Sequence, residues 1–367
     1  MRITSVDSFP LRGRGQQGAY GAPYGIVVRI ATDSGVVGYG ESDSMPGVVK
    51  AVIEAPFLHE MMAGLKWVIL DQDPLDIEAL WNRMARATLN YSRDGATLQA
   101  MAAIDIALWD IKGKLLGRPV HELLGGARRP RLRCYATHPL GRDLGETGEL
   151  RDSGFSAVKF GWHPLGPDPV QDEAIVRRLR EAIGPAADLL IDGGLAWDAE
   201  TAIERARRFE PYRLFWLEEP LAAPYDFAGY ARLAAATGTP IAAGELASSA
   251  VELGRLVDGR CVDILQVDIS RVGLSQSMKV AAAAATAGIP CVNHSYSYGI
   301  NLAASLHFAA AIERTSLFEC QATPNEIREV LVPDVPRPAE GMIALPEGPG
   351  LGITVDEAAL ACFAVEA

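Results

Sequence analysis

The sequence contains little cysteine and no long apolar run. Its five cysteines are odd in number, scattered, and mostly set in or beside apolar segments, which argues against a disulfide framework and indicates buried, reduced thiols. No stretch approaches the ~20 apolar residues of a membrane span. The first residues, MRITSVDSFPLR, lack the apolar segment of a signal peptide. We therefore expect a cytoplasmic protein with no membrane partner.

Positive charge is also scarce. The chain has 34 Lys and Arg against 46 Asp and Glu, a formal net charge of −12, which argues against nucleic acid or an anionic membrane as a partner. An anionic substrate would have to be attracted by local cations and a metal. Hydrophobic residues make up 49% and charged residues 22%, which is ordinary for a soluble globular enzyme. A length of 367 residues accommodates a β/α barrel of about 250 residues and a second domain.

Three carboxylates recur at a nearly constant interval. Asp192 follows the apolar run LLI, Glu218 follows FWL, and Glu245 follows IAAG, with steps of 26 and 27 residues. One strand, one helix and two loops occupy about 25 to 30 residues in a β/α barrel, and the carboxyl ends of its strands converge at one mouth. Three convergent carboxylates repel one another unless a hard dication lies among them. The interval therefore predicts a Mg²⁺ site.

The same interval continues beyond these carboxylates. Asp268 lies 23 residues after Glu245, His294 lies 26 residues after Asp268, and Glu319 lies 25 residues further on. An acidic residue after a single apolar run is commonly a helix cap or part of a solvated loop. A series of six polar residues at successive strand ends instead indicates a catalytic site at a barrel mouth.

The chain divides into a mixed N-terminal part, a barrel and a tail. RITSVDSF and GIVVRIAT read as antiparallel strands, and amphipathic helices follow, the longest ending at Gly117. We predict an α+β capping domain over residues 1–126. A (β/α)7β-type TIM barrel is predicted over residues 127–326, with eight strands from RLRCYATH to LFEC. The tail, residues 327–367, is predicted to return to the capping domain.

These motifs resemble one known family closely. AAIDIALWDIKGKLLG, AVK, LLID, LEEP, QVDISRVG and the Asn-His of the seventh strand look like the mandelate racemase/muconate lactonizing enzyme family of the enolase superfamily. The resemblance covers essentially the whole chain. It implies Mg²⁺-dependent removal of the proton α to a carboxylate, giving a metal-stabilised enediolate from a small carboxylate substrate. Because relatives are commonly homo-oligomers, it also implies a homo-oligomer.

The resemblance assigns roles to individual positions. It implies metal ligands at Asp192, Glu218 and Glu245. It further implies that His294 is a general acid or base held by Asp268, which is the pattern of the mandelate racemase subgroup. Glu319 matches a position that hydrogen-bonds a substrate carboxylate oxygen in relatives. Glu219 lies next to Glu218 but is not predicted to be a metal ligand. It is predicted to support a neighbouring residue instead.

The second barrel strand departs from the family pattern. Relatives carry Lys-x-Lys there, with the second lysine as a base, whereas this chain reads AVKFG. One alignment places Lys159 at the first lysine position and Gly161 at the second. The other alignment places Lys159 at the second. His163 shares a strand face with Lys159 and Gly161, so it either replaces part of the missing lysine function or belongs to an ordinary loop.

These departures leave the reaction open between three readings. Inversion of a stereocentre needs acid–base groups on both faces of the enolate, whereas β-elimination of water needs only one base. We therefore predict an acid-sugar dehydratase, with a racemase or epimerase of an α-substituted carboxylate as the alternative. A non-catalytic metal-binding barrel is the third reading, supported by the glycine at position 161 alone. Substrate specificity is predicted to involve His163, Tyr20, Tyr24 and Met45.

Overall fold

The computed structural model describes residues 1–13, 24–139, 153–161, 165–321 and 324–366. These residues form an antiparallel sheet with helices, a parallel β/α barrel and a C-terminal tail, which confirms the predicted fold class. Within the same residues, none of the helices combines the length and the apolar composition needed to cross a membrane.

The capping domain begins with a three-stranded antiparallel sheet. Its strands are β1 (Ile3–Arg12), β2 (Tyr24–Thr32) and β3 (Val37–Ser42). A tight turn joins β2 to β3, in which the Gly35 amide donates to the Thr32 carbonyl at 3.1 Å. The helices that follow are α1 (Pro46–Glu54), α2 (Leu65–Ile69), α3 (Ile77–Ala87), α4 (Ala96–Leu116) and α5 (Val120–Leu123).

Helix α4 lies at the centre of the capping domain and is buried on most sides. It ends at Gly117, whose φ of 63° is the left-handed conformation that glycine adopts most readily. Strand β3 can lie directly on α4 because Gly40 has no side chain. A Cβ at Gly40 would come within 1.7 Å of the Ala103 carbonyl oxygen. This close approach fixes the position of the end of β3, which points towards the barrel.

Eight parallel strands form the barrel, and all eight strand segments predicted from the sequence are present. In hydrogen-bonded order they run from the seventh strand back to the first and then to the eighth. Between the seventh and eighth strands, the Asn293 Oδ1 atom accepts a hydrogen bond from the Glu319 amide at 2.9 Å. The strands are β4 (Arg131–Pro139), β5 (Ala157–Gly161), β6 (Asp188–Asp192), β7 (Leu214–Glu218), β8 (Ile241–Ala243), β9 (Ile264–Asp268), β10 (Cys291–His294) and β11 (Phe318–Gln321).

Helices alternate with these strands and pack their apolar faces on the barrel. Five of them begin at a side chain that accepts hydrogen bonds from the first turn, as is usual for helix N-caps: Asp168, Asp198, Asp226, Ser249 and Asp268. The barrel helices are α6 (Pro169–Ile183), α7 (Ala199–Phe209), α8 (Phe227–Ala236), α9 (Ala250–Asp258), α10 (Ile269–Val272), α11 (Leu274–Ala287) and α12 (Gly299–Ala311).

A buried apolar layer fills the barrel interior below the strand ends. Because side chains alternate along a strand, the residue two positions further on faces the barrel mouth on six of the eight strands: Thr137, Lys159, Asp192, Glu218, His294 and Glu319. The interior layer therefore sets the depth at which the polar side chains of the mouth lie. It consists of Tyr135, Ala157, Leu190, Trp216, Ala242, Ile264, Val292 and Leu317.

The tail contacts both parts of the molecule. It contains α13 (Glu326–Leu331), β12 (Met342–Ala344) and α14 (Glu357–Phe363). Strand β12 pairs antiparallel with the first barrel strand, whereas the Val365 amide donates to the Pro10 carbonyl of the capping sheet at 2.9 Å. The division into residues 1–126, 127–326 and 327–367 stays a prediction.

Candidate functional site

The carboxyl ends of the barrel strands carry the polar residues that the sequence interval selects. In the parallel register, Asp192 lies beside Glu218 and Asp268 lies beside His294. These residues are buried, with Asp268 and Glu218 both fully inaccessible to solvent. Neighbouring strands thus present two pairs of chemically active side chains at one level of the barrel.

Lys159 lies between two of the carboxylates. Its Nζ atom contacts Glu218 Oε1 and is 3.0 Å from Glu319 Oε1. Burial lowers the pKa of Lys159, but the negative charges of Glu218 and Glu319 outweigh that effect and hold the pKa well above its ordinary value. Lys159 is therefore a fixed cation at the barrel mouth.

Glu319 is held as a carboxylate. Its Oε1 atom accepts a hydrogen bond from Thr137 Oγ1 at 2.5 Å, and its Oε2 atom accepts one from the Ser295 amide at 2.9 Å. Burial raises the pKa of Glu319, but Lys159 and His294 lower it to about 2. In this arrangement Glu319 accepts hydrogen bonds and orients Lys159. Its predicted contact with a substrate oxygen stays a prediction.

His294 and Asp268 form a hydrogen-bonded dyad. The His294 Nδ1 atom lies 2.6 Å from Asp268 Oδ2, and its Nε2 atom lies 3.5 Å from Glu245 Oε2. Burial lowers the pKa of His294, but the Glu245 charge and the Asp268 hydrogen bond raise it to about 10. A carboxylate on Nδ1 fixes the tautomer of the imidazole and leaves Nε2 to exchange a proton at the mouth.

The three predicted metal ligands are chemically suited to a hard cation. Burial raises the pKa of Asp192 to about 6, and the charge of Glu245 adds to this rise. Asp192, Glu218 and Glu245 offer oxygen atoms only, and the negative charge of one carboxylate disfavours ionisation of its neighbour. Such a set of oxygen donors fits a dication such as Mg²⁺. Glu219, by contrast, accepts hydrogen bonds from Tyr230 at 2.6 Å and from the Gly244 amide at 2.8 Å.

Within the described residues, the three acidic or histidine side chains that lie close enough together to share a metal ion are not the three predicted ligands. One ligand atom from each of Asp43, Asp268 and His294 lies within 4.8 Å of the others. These carboxylates are already engaged, because Asp43 pairs with Arg271 and Asp268 accepts hydrogen bonds from Ser270. The group is therefore better described as part of a hydrogen-bonded network than as a vacant ligand set.

Gly161 lies close to the Asp192 side chain. A Cβ placed at Gly161 would come within 2.1 Å of Asp192 Cβ, an atom that no change of rotamer can move away. A larger residue at position 161 therefore requires a shift of strand β5 itself. With Lys159 engaged by two carboxylates, strand β5 presents one cation and no second lysine at the mouth.

The predicted substrate-binding residues are only partly described. Tyr20 and His163, together with the side chain of Tyr24, lie outside the described residues. Met45 immediately precedes helix α1, and 69% of its surface is exposed. Their roles in substrate binding stay predictions.

Two further residues in the site were missed by the sequence reasoning. Thr137, at the end of β4, donates to Glu319, and Trp216 Nε1 donates to Glu218 Oε2 at 2.8 Å. Thr137 carries a recognisable signal, because it is a polar residue near the carboxyl end of the first barrel strand and lies in register with Lys159. Trp216 carries no such signal, since an inward aromatic residue in a strand is usually core.

Comparisons with known proteins agree with this geometry. Residues 18–125 match the family described as mandelate racemase / muconate lactonizing enzyme, N-terminal domain, and residues 144–359 match the family described as enolase C-terminal domain-like. The D-galactarolactone cycloisomerase of Agrobacterium fabrum is 33% identical over 355 residues, covering 92% of this chain and 90% of that protein.

Two further relatives extend the comparison. The arabinonate dehydratase of Saccharolobus solfataricus is 32% identical over 339 residues, covering 90% of this chain and 88% of that protein. The crystal structure of the 3,6-anhydro-D-galactonate cycloisomerase from Zobellia galactanivorans superposes with a TM-score of 0.90 at 32% identity, with 100% of both chains covered.

Proposed function

The chain belongs to the mandelate racemase/muconate lactonizing enzyme family of the enolase superfamily, and from that premise we propose that it is an acid-sugar dehydratase. Enzymes of this superfamily are metal-dependent. We propose Mg²⁺ as the ion and Asp192, Glu218 and Glu245 as its ligands. When bound, the ion would act as a Lewis acid that stabilises negative charge on the substrate carboxylate.

The observation that carries this proposal is the presence of one histidine–aspartate dyad and one buried cation at the carboxyl ends of the barrel strands. His294, oriented by Asp268 at 2.6 Å, would provide the proton acceptor once a cation bound by Glu245 offsets the main charge that raises the pKa of the imidazole, while Lys159 provides a fixed positive charge supported by Glu319 at 3.0 Å. Removal of a proton α to a carboxylate creates a second negative charge on a small group. A preorganised cation lowers the cost of that charge because it requires no reorganisation during the reaction.

The reaction proposed for these residues is a β-elimination. His294 Nε2 takes the α-proton, the C–O bond at the β-carbon breaks, and the protonated His294 gives that proton to the departing hydroxide, which leaves as water. The remaining enol then tautomerises to a 2-keto-3-deoxy acid. One base is sufficient for this sequence. The absence of a lysine at position 161 therefore does not hinder it.

An isomerase is the second candidate, and the names of two relatives favour a particular kind. Both the Agrobacterium fabrum and the Zobellia galactanivorans proteins are named cycloisomerases. If the oxygen that leaves the β-carbon belongs to a ring, the same elimination opens the ring without loss of atoms, which is an isomerisation. Racemisation would need a second base opposite His294, and Lys159 is paired with two carboxylates.

The proposal is tested by supplying the protein with Mg²⁺ and a set of linear and cyclic sugar acids. Formation of a 2-keto-3-deoxy acid from linear acids supports dehydration, and its formation from lactones or anhydro acids alone supports cycloisomerisation. Glu218→Gln serves as the inactive control because it removes one proposed ligand and preserves side-chain size. Failure to form a keto acid, with inversion of the α-carbon instead, would establish the racemase alternative.

A further inference from the structure

The capping domain sends two carboxylates into the barrel. Glu41 and Asp43 lie two residues apart at the end of β3, where the close packing of that strand on α4 leaves little freedom of position. Glu41 is fully buried and accepts hydrogen bonds from the amides of Tyr298 at 2.6 Å and Asn301 at 2.9 Å. The first turn of barrel helix α12 is thus tied to the capping sheet.

Asp43 makes a two-point ion pair with Arg271, which belongs to helix α10 directly after β9. The Arg271 Nη2 atom lies 2.9 Å from Asp43 Oδ2, and Nε lies 3.1 Å from Asp43 Oδ1. The side chains of Arg271 and Asp43 are only 17% and 14% exposed. Arg271 also donates from Nη1 to the Glu245 carbonyl at 2.6 Å. A guanidinium bound at all three nitrogens in this way is held in one orientation.

The residues bound by the capping domain are the ones that hold Asp268. Its Oδ1 atom accepts hydrogen bonds from the Ser270 amide and hydroxyl, both at 2.7 Å, and lies 3.4 Å from Asn301 Nδ2. Ser270 Oγ is also 3.3 Å from Asp43 Oδ1, and Arg271 Nε is 3.8 Å from Asp268 Oδ2. The Asp268 carboxylate, which orients His294, is therefore surrounded by side chains of residues that also contact Glu41 or Asp43.

We propose that Asp43 is a positioning residue for His294, acting through Arg271 and Ser270 on the Asp268 carboxylate. The role assigned to His294 rests on the proposed function, whereas the geometric effect on His294 does not. The consequence is that the capping domain must be docked for the base to be correctly oriented. A purely structural ion pair between two domains would hold the capping domain without affecting the imidazole.

The experiment compares Asp43→Asn with a control ion pair that also joins the two domains. Lys279 on α11 binds Glu78 on α3 at 2.6 Å, with both side chains more than half exposed. Glu78→Gln removes that pair, which has no contact with Asp268 or His294, and an exposed pair of this kind contributes little to stability. Arg271→Lys is the second variant, because it keeps the charge and loses the planar two-point contact.

The first readout needs no substrate. In protein labelled with ¹⁵N at its six histidines, the Nδ1 proton shared with Asp268 gives one resonance, assigned by its loss in His294→Asn. We expect this resonance to shift and to exchange faster with water in Asp43→Asn and Arg271→Lys, and to be unchanged in Glu78→Gln. Thermal unfolding of each variant verifies that the capping domain remains folded. An unchanged resonance in folded Asp43→Asn and Arg271→Lys would overturn the proposal.

The second readout uses the substrate found by the sugar-acid screen. Partners that orient a catalytic group typically contribute about 10- to 100-fold to activity. We expect Asp43→Asn to lower kcat by that factor and to change KM by less than about threefold, because Asp43 acts on the base and not on substrate binding. A fall confined to KM would overturn the positioning role. If the proposed function fails while the His294 resonance shifts as expected, the positioning inference still holds.

Discussion

Replacing Lys159 by methionine removes the cation that lies between Glu218 and Glu319. The lysine side chain is 3% exposed and both carboxylates are fully buried, so no solvent replaces the lost charge. Breaking a buried ion pair by removal of one partner costs about 3–5 kcal/mol. We expect Lys159→Met to lower the free energy of unfolding by that amount when no divalent cation is added.

Added Mg²⁺ should reverse part of this loss. With Glu218 as a ligand, as proposed above, the Lys159 ammonium and a bound dication would share this carboxylate, so each would weaken the binding of the other. We expect Lys159→Met to bind Mg²⁺ at least about tenfold more tightly than the parent, a difference of 1.4 kcal/mol. Activity should nevertheless fall by about 100-fold or more, because one preorganised charge for the substrate carboxylate is lost.

Denaturant unfolding with and without Mg²⁺, followed by a keto-acid assay, measures all three effects. Lys279→Met is the matched control, since its ion pair with Glu78 is more than half exposed and should contribute at most about 1 kcal/mol. Equal stability, equal Mg²⁺ affinity and equal activity in the two lysine variants would refute the assignment of Lys159 as the cation of the site.

Three further variants test other parts of the site. His294→Asn removes the proton acceptor at nearly constant size and should reduce turnover by at least about 100-fold in the keto-acid assay, and near-normal turnover would move the base elsewhere. Glu218→Gln should abolish the increase in melting temperature that Mg²⁺ gives the parent, and an undiminished increase would exclude Glu218 as a ligand. Burial raises the pKa of Glu41 to about 7, so its contribution to stability is complete below about pH 4.5 and is lost as the pH rises through 7. Relative to Glu41→Gln, the parent should therefore lose roughly 2–3 kcal/mol of unfolding free energy between pH 5 and pH 8. A gain would show that the hydrogen bonds from the Tyr298 and Asn301 amides, which favour the charged carboxylate, outweigh the effect of burial.

The strands and the order of the site were predictable because both follow from local pattern. Each barrel strand is a short apolar run with a polar residue at its carboxyl end, and parallel pairing of successive strands places those ends together. The neighbouring positions of Asp268 and His294 follow directly from that rule. The long helix ending at Gly117 was likewise visible in the spacing of apolar residues and the terminal glycine.

Contacts between distant segments were not predictable from the sequence. Asp43 and Arg271 are separated by 228 residues, and their pairing depends on how the capping domain docks on the barrel. The antiparallel pairing of β12 with β4 is similar, since the sequence predicts that the tail returns to the capping domain and does not predict its contact with the first barrel strand. Neither contact leaves a periodic signal in the chain, because each depends on the relative placement of whole elements.

The most direct test of the central claim is the fate of the α-proton in deuterated water. Both configurations of an active sugar acid at the α-carbon are incubated with the protein and Mg²⁺, and each is followed by proton NMR. With His294 as the base on one face and Lys159 paired with Glu218 and Glu319, one configuration alone should lose its α-proton and yield the 2-keto-3-deoxy acid. Exchange of deuterium into both configurations without elimination would contradict the account.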